Sequence, residues 1–171
     1  TRRIIPEKIC GSDIFWKICQ LCSDKKKRIF LLGAGPGVAE KVRERVLLVY
    51  PKLQIAGTYS GSADPFMDKE IRHLIDMSEA DFLFVAFGAP KQEKWIDRNL
   101  AELKTVKVAM DVGGTFDFVS GKVKRAPLLL RKLGLEWLFR LFLMPTRFFR
   151  IYNAVFRFTK LVIEEKLKIN D

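Results

Sequence analysis

Histidine and cysteine are scarce in this chain, which contains one histidine, His73, and three cysteines. A secreted protein held together by disulfides would carry more cysteines along its length. Cys10, Cys19 and Cys22 are clustered instead, which favours a reducing compartment and predicts a cytoplasmic protein. Cys19 and Cys22 form a C-x-x-C pattern that could be half of a redox or zinc site, but no second pair or nearby histidine completes it. We expect both thiols to be buried on one helix as small apolar groups.

Several other features are absent. No two aspartates lie at D-x-D spacing, so the sequence predicts neither a bound metal nor a cofactor. No serine or cysteine nucleophile elbow is present, and no uncharged run approaches the ~20 residues that a membrane-spanning helix needs. The chain starts at Thr1 without a methionine or a signal-peptide pattern, so we expect a processed or partial chain.

Apolar runs that alternate with helical patterns are present along most of the chain. They predict strands at residues 28–32, 53–59, 82–87 and 106–110. Helical periodicity predicts helices at residues 13–23, 38–49 and 91–103, and another that ends near Met77. This alternation predicts an α/β fold, with a Rossmann-like, mostly parallel sheet and flanking helices over residues 1–121. Residues 116–121 are predicted to be a short irregular segment.

Three glycine-bearing loops follow predicted strands. Because parallel strands end at one edge of a sheet, we expect the loops to form one site for a phosphate-bearing ligand such as a nucleotide. The candidate binding residues are Gly33, Ala34, Gly35, Pro36 and Gly37 after the first strand, Pro90, Lys91 and Gln92 after the third, and Gly113, Gly114 and Asp117 after the fourth.

The first loop differs from two common nucleotide motifs. Val38 stands where the dinucleotide fingerprint requires glycine, and the second strand ends without a carboxylate for a ribose, which disfavours NAD. No Gly-Lys-Ser/Thr follows, so it is not a P-loop. A simple tight turn is the alternative interpretation.

Polar side chains in the other two loops could act on a substrate. Gln92 can hydrogen-bond sugar hydroxyls and Lys91 can contact a phosphate, although both could also simply begin a solvated helix. Asp111 and Asp117 are the carboxylates nearest the predicted edge and are candidate general bases.

Positive charge is concentrated in one region. Residues 122–160 contain ten Lys or Arg against one acid, Glu136, whereas the whole chain has a net charge of +11. Aromatic residues are interleaved with these cations, and helical spacing puts Arg147, Arg150, Arg157 and Lys160 on one face. This pattern predicts a helical C-terminal appendage over residues 122–171 that binds an anionic membrane surface. Packing on its own domain or on a partner chain is the alternative, and no motif supports nucleic-acid binding.

Longer motifs occur in a specific order along nearly the whole chain. They are Gly11–Phe15, Ala89–Trp95, Val112–Asp117, Gly121–Pro127 and Leu133–Leu141, with Pro145, Arg147 and Arg150 beyond them. In this order and spacing, the sequence resembles the WecG/TagA/CpsF-like bacterial glycosyltransferases.

The resemblance implies inverting, metal-independent transfer of an N-acetylmannosamine-type sugar from a UDP-sugar to a polyprenyl-diphosphate-linked N-acetylglucosamine, in cell-surface polysaccharide synthesis. It also implies a peripheral protein on the inner face of the cell membrane. Gln92 would contact the substrate, while Arg140, Arg147 and Arg150 would lie over the site and stabilise the diphosphate. Arg125, in the Gly121–Pro127 motif, would also bind substrate. Fixed cations suit a leaving UDP that no metal neutralises.

The chain departs from the family pattern in three places. The presumed catalytic aspartate of the family precedes the Gly-x-Asp motif, and this chain begins after that position, so we expect the usual base to be missing. Gly61–Ala63 replaces a Gly-Tyr-Phe, and Met144 stands where an acid often precedes the proline. A noncatalytic nucleotide-sugar-binding or membrane-docking protein is therefore the rival interpretation. The sequence also leaves open whether the chain forms a homo-oligomer.

Overall fold

The computed structural model describes residues 11–124, 126–127, 129–130, 133, 135–143 and 152–168. The chain divides into two compact units, Thr1–Lys122 and Val123–Asp171. All of the described strands lie in the first unit. The second unit is helical wherever its elements are described.

Strands and helices alternate in the first unit, as the sequence predicts. The strands are β1 (Arg28–Gly33), β2 (Gln54–Tyr59), β3 (Phe82–Ala86) and β4 (Val108–Asp111). The α-helices are α1 (Gly11–Asp24), α2 (Val38–Val49), α3 (Asp68–Met77), α4 (Lys91–Asn99) and α5 (Thr115–Val119). Two 3-10 turns, Pro65–Met67 and Leu100–Glu102, precede α3 and follow α4.

The four strands form one parallel sheet in the order β2-β1-β3-β4. The central strands β1 and β3 are apolar almost throughout and are buried along nearly their whole length. A strand without polar alternation fits a position that is covered on both faces. The predicted α/β class with a parallel sheet is therefore confirmed.

Each face of the sheet has its own apolar core. Ile29 and Leu31 point to one face, where they join side chains of α1, α2 and α5. Phe30 and Leu32, the alternate residues of the same strand, point to the other face and join α3 and α4. The largest fully buried side chain, Trp95, belongs to the second core. The helices are thus divided between the two faces, which is the arrangement of an open α/β sheet.

The prediction of an irregular segment at residues 116–121 is wrong, because Thr115–Val119 forms the short helix α5. Its aromatic and β-branched residues have low helix propensity, which hid the helix from the sequence pattern. Phe116 is fully buried and its ring packs edge-on against Phe15 of α1, with ring centroids 6.1 Å apart. Tertiary packing therefore overrides the local preference here.

The cysteine prediction is confirmed for the pair that the structure describes. Cys19 and Cys22 are buried free thiols on α1. Burial, together with the neighbouring Cys22 sulfur, raises the pKa of Cys19 to about 12. Burial also raises the pKa of Cys22. Thiols held in the neutral form are poor nucleophiles and poor metal ligands, so a packing role fits this pair.

The second unit contains α6 (Glu136–Leu143), a π-helical turn at Asn153–Arg157 and α7 (Phe158–Lys168). Several large side chains from Tyr152 onward are exposed. They are Tyr152, Phe156, Phe158, Leu161 and Ile163. The rings of Tyr152 and Phe156 stack with centroids 5.5 Å apart. Among the described helices, none combines the length and the apolarity needed to cross a membrane.

Candidate functional site

The three glycine-bearing loops lie side by side at one edge of the sheet. Gly33, the last residue of β1, pairs with Ala86, the last residue of β3. Val85 of β3 pairs in turn with Asp111, the last residue of β4. Because these strands are parallel and end in register, the loops that follow them emerge next to one another. The predicted meeting of the loops at one edge of the sheet is confirmed, and their use as a ligand site stays a prediction.

The loops after β1 and β3 flank the point where the strand order reverses. From β1 the chain passes through α2 to β2 on one side, whereas β3 lies on the other side of β1. α2 packs on one face of the sheet and α4 on the other. Loops that diverge in this way leave a crevice between them, and open α/β sheets bind their ligands in such a crevice.

The turn after β1 has a backbone that only small residues adopt easily. Gly33 has a φ of 99° and Ala34 a φ of 65°. A Cβ on Gly33 would lie 2.8 Å from the carbonyl carbon of Ala86, so a side chain has no room there. The N–H of Ala34 donates to the carbonyl oxygen of Ala86 at 3.0 Å. The turn is therefore held against the end of β3.

α2 begins directly after this turn, and Gly37 has no side chain with which to cap it. The first N–H groups of a helix lack partners within the helix, and the helix dipole gives that end a partial positive charge. Pro36 and Gly37 are exposed, which leaves this end of α2 open to solvent. The turn and the helix start together can face an anion.

Lys122 is a residue near the site that sequence reasoning did not single out. A Cβ on Gly35 would lie 3.4 Å from Lys122 Nζ, so this ammonium group is next to the glycine-rich turn. Lys122 is exposed and belongs to the first unit. Lys122 is the first residue of the basic region at residues 122–160. It lies beside Gly35 because the chain comes back to the glycine-rich turn after α5.

A carboxylate lies near the end of β2, although the strand itself ends without one. Thr58 donates its hydroxyl hydrogen to Glu40 Oε1 at 3.1 Å. Glu40 lies in the first turn of α2, not on β2 itself. Glu40 therefore reaches the end of β2 from the neighbouring helix, a contact that the residues of the second strand do not indicate.

Gln92 connects the loops after β3 and β4. Its Oε1 accepts hydrogen bonds from the N–H of Gly88 at 2.9 Å and the N–H of Gly113 at 3.2 Å. Its Nε2 donates to Asp111 Oδ2 at 2.9 Å and to Glu93 Oε1 at 3.4 Å. The side chain is 3% exposed. All four hydrogen-bonding positions of the amide are therefore used within the protein.

The other predicted loop residues lie around this connection. Pro90 and Lys91 are exposed at the start of α4, and the Lys91 N–H donates to the Gly88 carbonyl oxygen at 2.8 Å. Gly114 precedes α5, and Asp117 lies in its first turn and is half-buried. Arg125, Arg147 and Arg150 lie outside the described residues. Arg140 is part of α6, but its side chain is not described.

An open groove of about 620 Å³ runs beside β4 and α4. Its lining residues are Glu93, Ile96, Asp97, Leu100, Ala101, Ala109 and Asp111. Three carboxylates thus line one groove, but within the described part of the chain no three His, Cys, Asp or Glu side chains are grouped closely enough to hold a metal ion.

The open parallel sheet, with helices on both faces and a glycine-rich turn at the point where its strand order reverses, defines a doubly wound α/β protein. The chain belongs to a specific family within that class. The sequence model of the Glycosyl transferase WecG/TagA/CpsF family matches residues 1–171.

Three relatives share the name N-acetylglucosaminyldiphosphoundecaprenol N-acetyl-beta-D-mannosaminyltransferase. The protein of Bacillus subtilis (strain 168) is 37% identical over 169 residues, which are 98% of this chain and 64% of the relative. That of Bacillus spizizenii is 36% identical over 149 residues, 87% of this chain and 57% of the relative. That of Staphylococcus aureus (strain MRSA252) is 32% identical over 136 residues, 80% of this chain and 52% of the relative. The chain therefore spans between half and two thirds of their length.

Proposed function

We propose that this chain binds the donor of a glycosyltransferase that moves N-acetylmannosamine from UDP to an undecaprenyl-diphosphate-linked N-acetylglucosamine. The names of the three relatives specify this sugar and this acceptor for those proteins. Membership of the family supports the transferase class for this chain. The product would be a lipid-linked disaccharide for a cell-surface polysaccharide.

The single observation that carries the donor site is the crevice between the loops after β1 and β3. The start of α2, which has no side-chain cap, is exposed beside the glycine-rich turn, and the Lys122 ammonium group lies beside Gly35. A diphosphate needs such donors and cations, because its charge must be compensated as the sugar leaves. The carboxylate of Glu40, at the end of β2, is suited to accept hydrogen bonds from ribose hydroxyls.

We also propose that the transfer inverts the anomeric configuration of the sugar and needs no metal ion. A displacement in which UDP leaves directly requires fixed cations at the diphosphate when no metal is bound. In addition to Lys122 we propose Arg125, Arg140, Arg147 and Arg150 for that role, as the family resemblance implies. Pro90, Lys91, Gly113, Gly114 and Asp117 would contribute the opposite wall of the pocket.

The acceptor is a lipid, so the enzyme must work at a membrane surface. The exposed aromatic residues of the second unit and the exposed cations Arg157 and Lys160 are the combination that binds an anionic interface. We therefore propose peripheral attachment to the inner face of the cell membrane through this unit.

A turnover assay tests the proposal against its rival. The chain is incubated with UDP-N-acetylmannosamine and a polyprenyl-diphosphate-linked N-acetylglucosamine, and the lipid product is weighed by mass spectrometry. A mass gain of one N-acetylhexosamine, with release of UDP, supports the transferase. UDP binding without product supports a noncatalytic nucleotide-sugar-binding protein.

A further inference from the structure

The amide of Gln92 has one chemically sensible orientation. Its Oε1 faces two N–H donors, from Gly88 and Gly113, and its Nε2 faces two carboxylate oxygens, from Asp111 and Glu93. A flipped amide would set its NH₂ against the two N–H groups and its oxygen against the two carboxylates. All four contacts would then be repulsive, so the surrounding groups fix the amide in place.

The two backbone partners of Gln92 belong to different loops. Gly88 lies between β3 and α4, and Gly113 between β4 and α5. Both glycines have left-handed backbones, with φ of 81° and 48°. Their N–H groups converge on one oxygen, so the spacing between the loops depends on the position of that oxygen. A buried side chain with all its bonds made holds such a spacing more firmly than a solvated one.

We propose that Gln92 and Asp111 are positioning residues that together brace the wall of the donor pocket. Asp111 lies at the end of β4, accepts from Gln92 Nε2, and so keeps Oε1 turned toward the two glycine N–H groups. Gln92 acts on the substrate through the loops, because direct contact would require breaking one of its internal bonds. Asp111 acts as an acceptor for this amide rather than as the general base. This inference rests on the proposed function only for the identity of the ligand.

Amide hydrogen exchange measured by NMR on the full chain tests the brace without any ligand. We expect the N–H of Gly88 and Gly113 to exchange at least about tenfold faster in Gln92→Ala, and clearly faster in Asp111→Ala. Asp111→Asn should exchange like the wild type, because its side-chain oxygen can still accept from Gln92. Asp97→Ala is the matched control, since Asp97 lines the same groove and has no bond to Gln92 in the described residues. Unchanged exchange in Gln92→Ala, or equal effects of Asp97→Ala and Asp111→Ala, would overturn the brace.

Calorimetry with UDP tests whether the brace positions the pocket. Asp111→Ala should bind UDP roughly tenfold more weakly, whereas Asp111→Asn and Asp97→Ala should bind it like the wild type. Asp111 is exposed, so its variants should keep the fold, and thermal unfolding checks this. Unchanged UDP affinity in an Asp111→Ala protein with loosened loops would refute the positioning role. A wild type that shows the exchange pattern but binds no UDP would refute the nucleotide site and retain the brace.

Discussion

Gly33 affects both the folding of the chain and the shape of the candidate pocket. Its backbone lies in a region that residues with a Cβ avoid, and the end of β3 occupies the space that a Cβ would need. The close approach allows the glycine-rich turn to be tied to Ala86 by a backbone hydrogen bond. The candidate pocket therefore depends on the absence of a side chain at Gly33.

Replacing Gly33 by alanine should destabilise the fold by at least about 2 kcal/mol, because the new methyl group is strained and meets the Ala86 backbone. Gly114→Ala is the matched control, since Gly114 has a φ of −79° and a methyl group added there would meet no atom within 4 Å. We expect that change to cost no more than about 1 kcal/mol, because Gly114 is the N-cap of α5 and alanine is a poorer N-cap than glycine. Urea denaturation measures both values, and equal losses would contradict the steric account of Gly33.

The hydrogen-bonded carboxylate of Asp81 should make the stability of the fold depend on pH. Its carboxylate accepts from the Arg28 N–H at 3.0 Å and from Lys27 Nζ at 2.9 Å. The Arg28 N–H and then the Lys27 ammonium group hold the pKa of this carboxyl below its ordinary value. Such a group stabilises the fold above its unfolded-state pKa, and that stability is lost as the pH falls through the folded-state pKa.

Wild-type stability should therefore fall as the pH drops below the ordinary range of a carboxyl pKa, and the fall should be shallower in Asp81→Asn. Urea denaturation at a series of pH values gives the two slopes. Parallel curves for the two proteins would show that Asp81 does not contribute to the acid dependence.

At the scale of elements, the secondary structure predicted from the sequence can be compared with the described helices and strands. The alternating strands and helices of the first unit follow their sequence periodicity, and α2 and the end of α3 match the predicted bounds. α5 was missed, because Phe116 is held by Phe15 rather than by local propensity. Of the cations predicted to share a helical face, Arg157 and Lys160 lie in the described elements, whereas Arg147 and Arg150 lie outside the described residues, so the shared face stays a prediction.

Charge reversal on the last helical segment tests the proposed membrane role. Arg157→Glu combined with Lys160→Glu should reduce sedimentation with vesicles containing phosphatidylglycerol by at least about tenfold, since each basic residue near an anionic surface contributes about 1 kcal/mol. Both residues are exposed. Lys17→Glu with Lys25→Glu changes the net charge equally at exposed positions of α1 and the following turn, and should have a much smaller effect. Equal losses from the two double variants would point to net charge rather than to this segment.

For the whole molecule, the sequence predicts the fold and the edge at which the loops meet, because glycines after apolar strands are local signals. It does not predict Lys122 beside Gly35, or Glu40 beside Thr58, since each contact joins residues from different elements. It also predicts that the Gln92 side chain is functional, but it does not predict the groups with which Gln92 forms hydrogen bonds. Those partners depend on the register of β3 with β4, and β3 is apolar on both faces, so its sequence has no alternation from which that register could be read.

The central claim is that the crevice after β1 and β3 binds the diphosphate of UDP. Isothermal titration calorimetry of the full chain with UDP tests it most directly. Lys122→Ala should lower the affinity by roughly tenfold, because it removes a cation beside the glycine-rich turn. Lys52→Ala, at an exposed turn on the opposite edge of the sheet, should leave it unchanged. Saturable binding with this difference is the predicted result, and a folded wild type that releases no heat with UDP would contradict the claim.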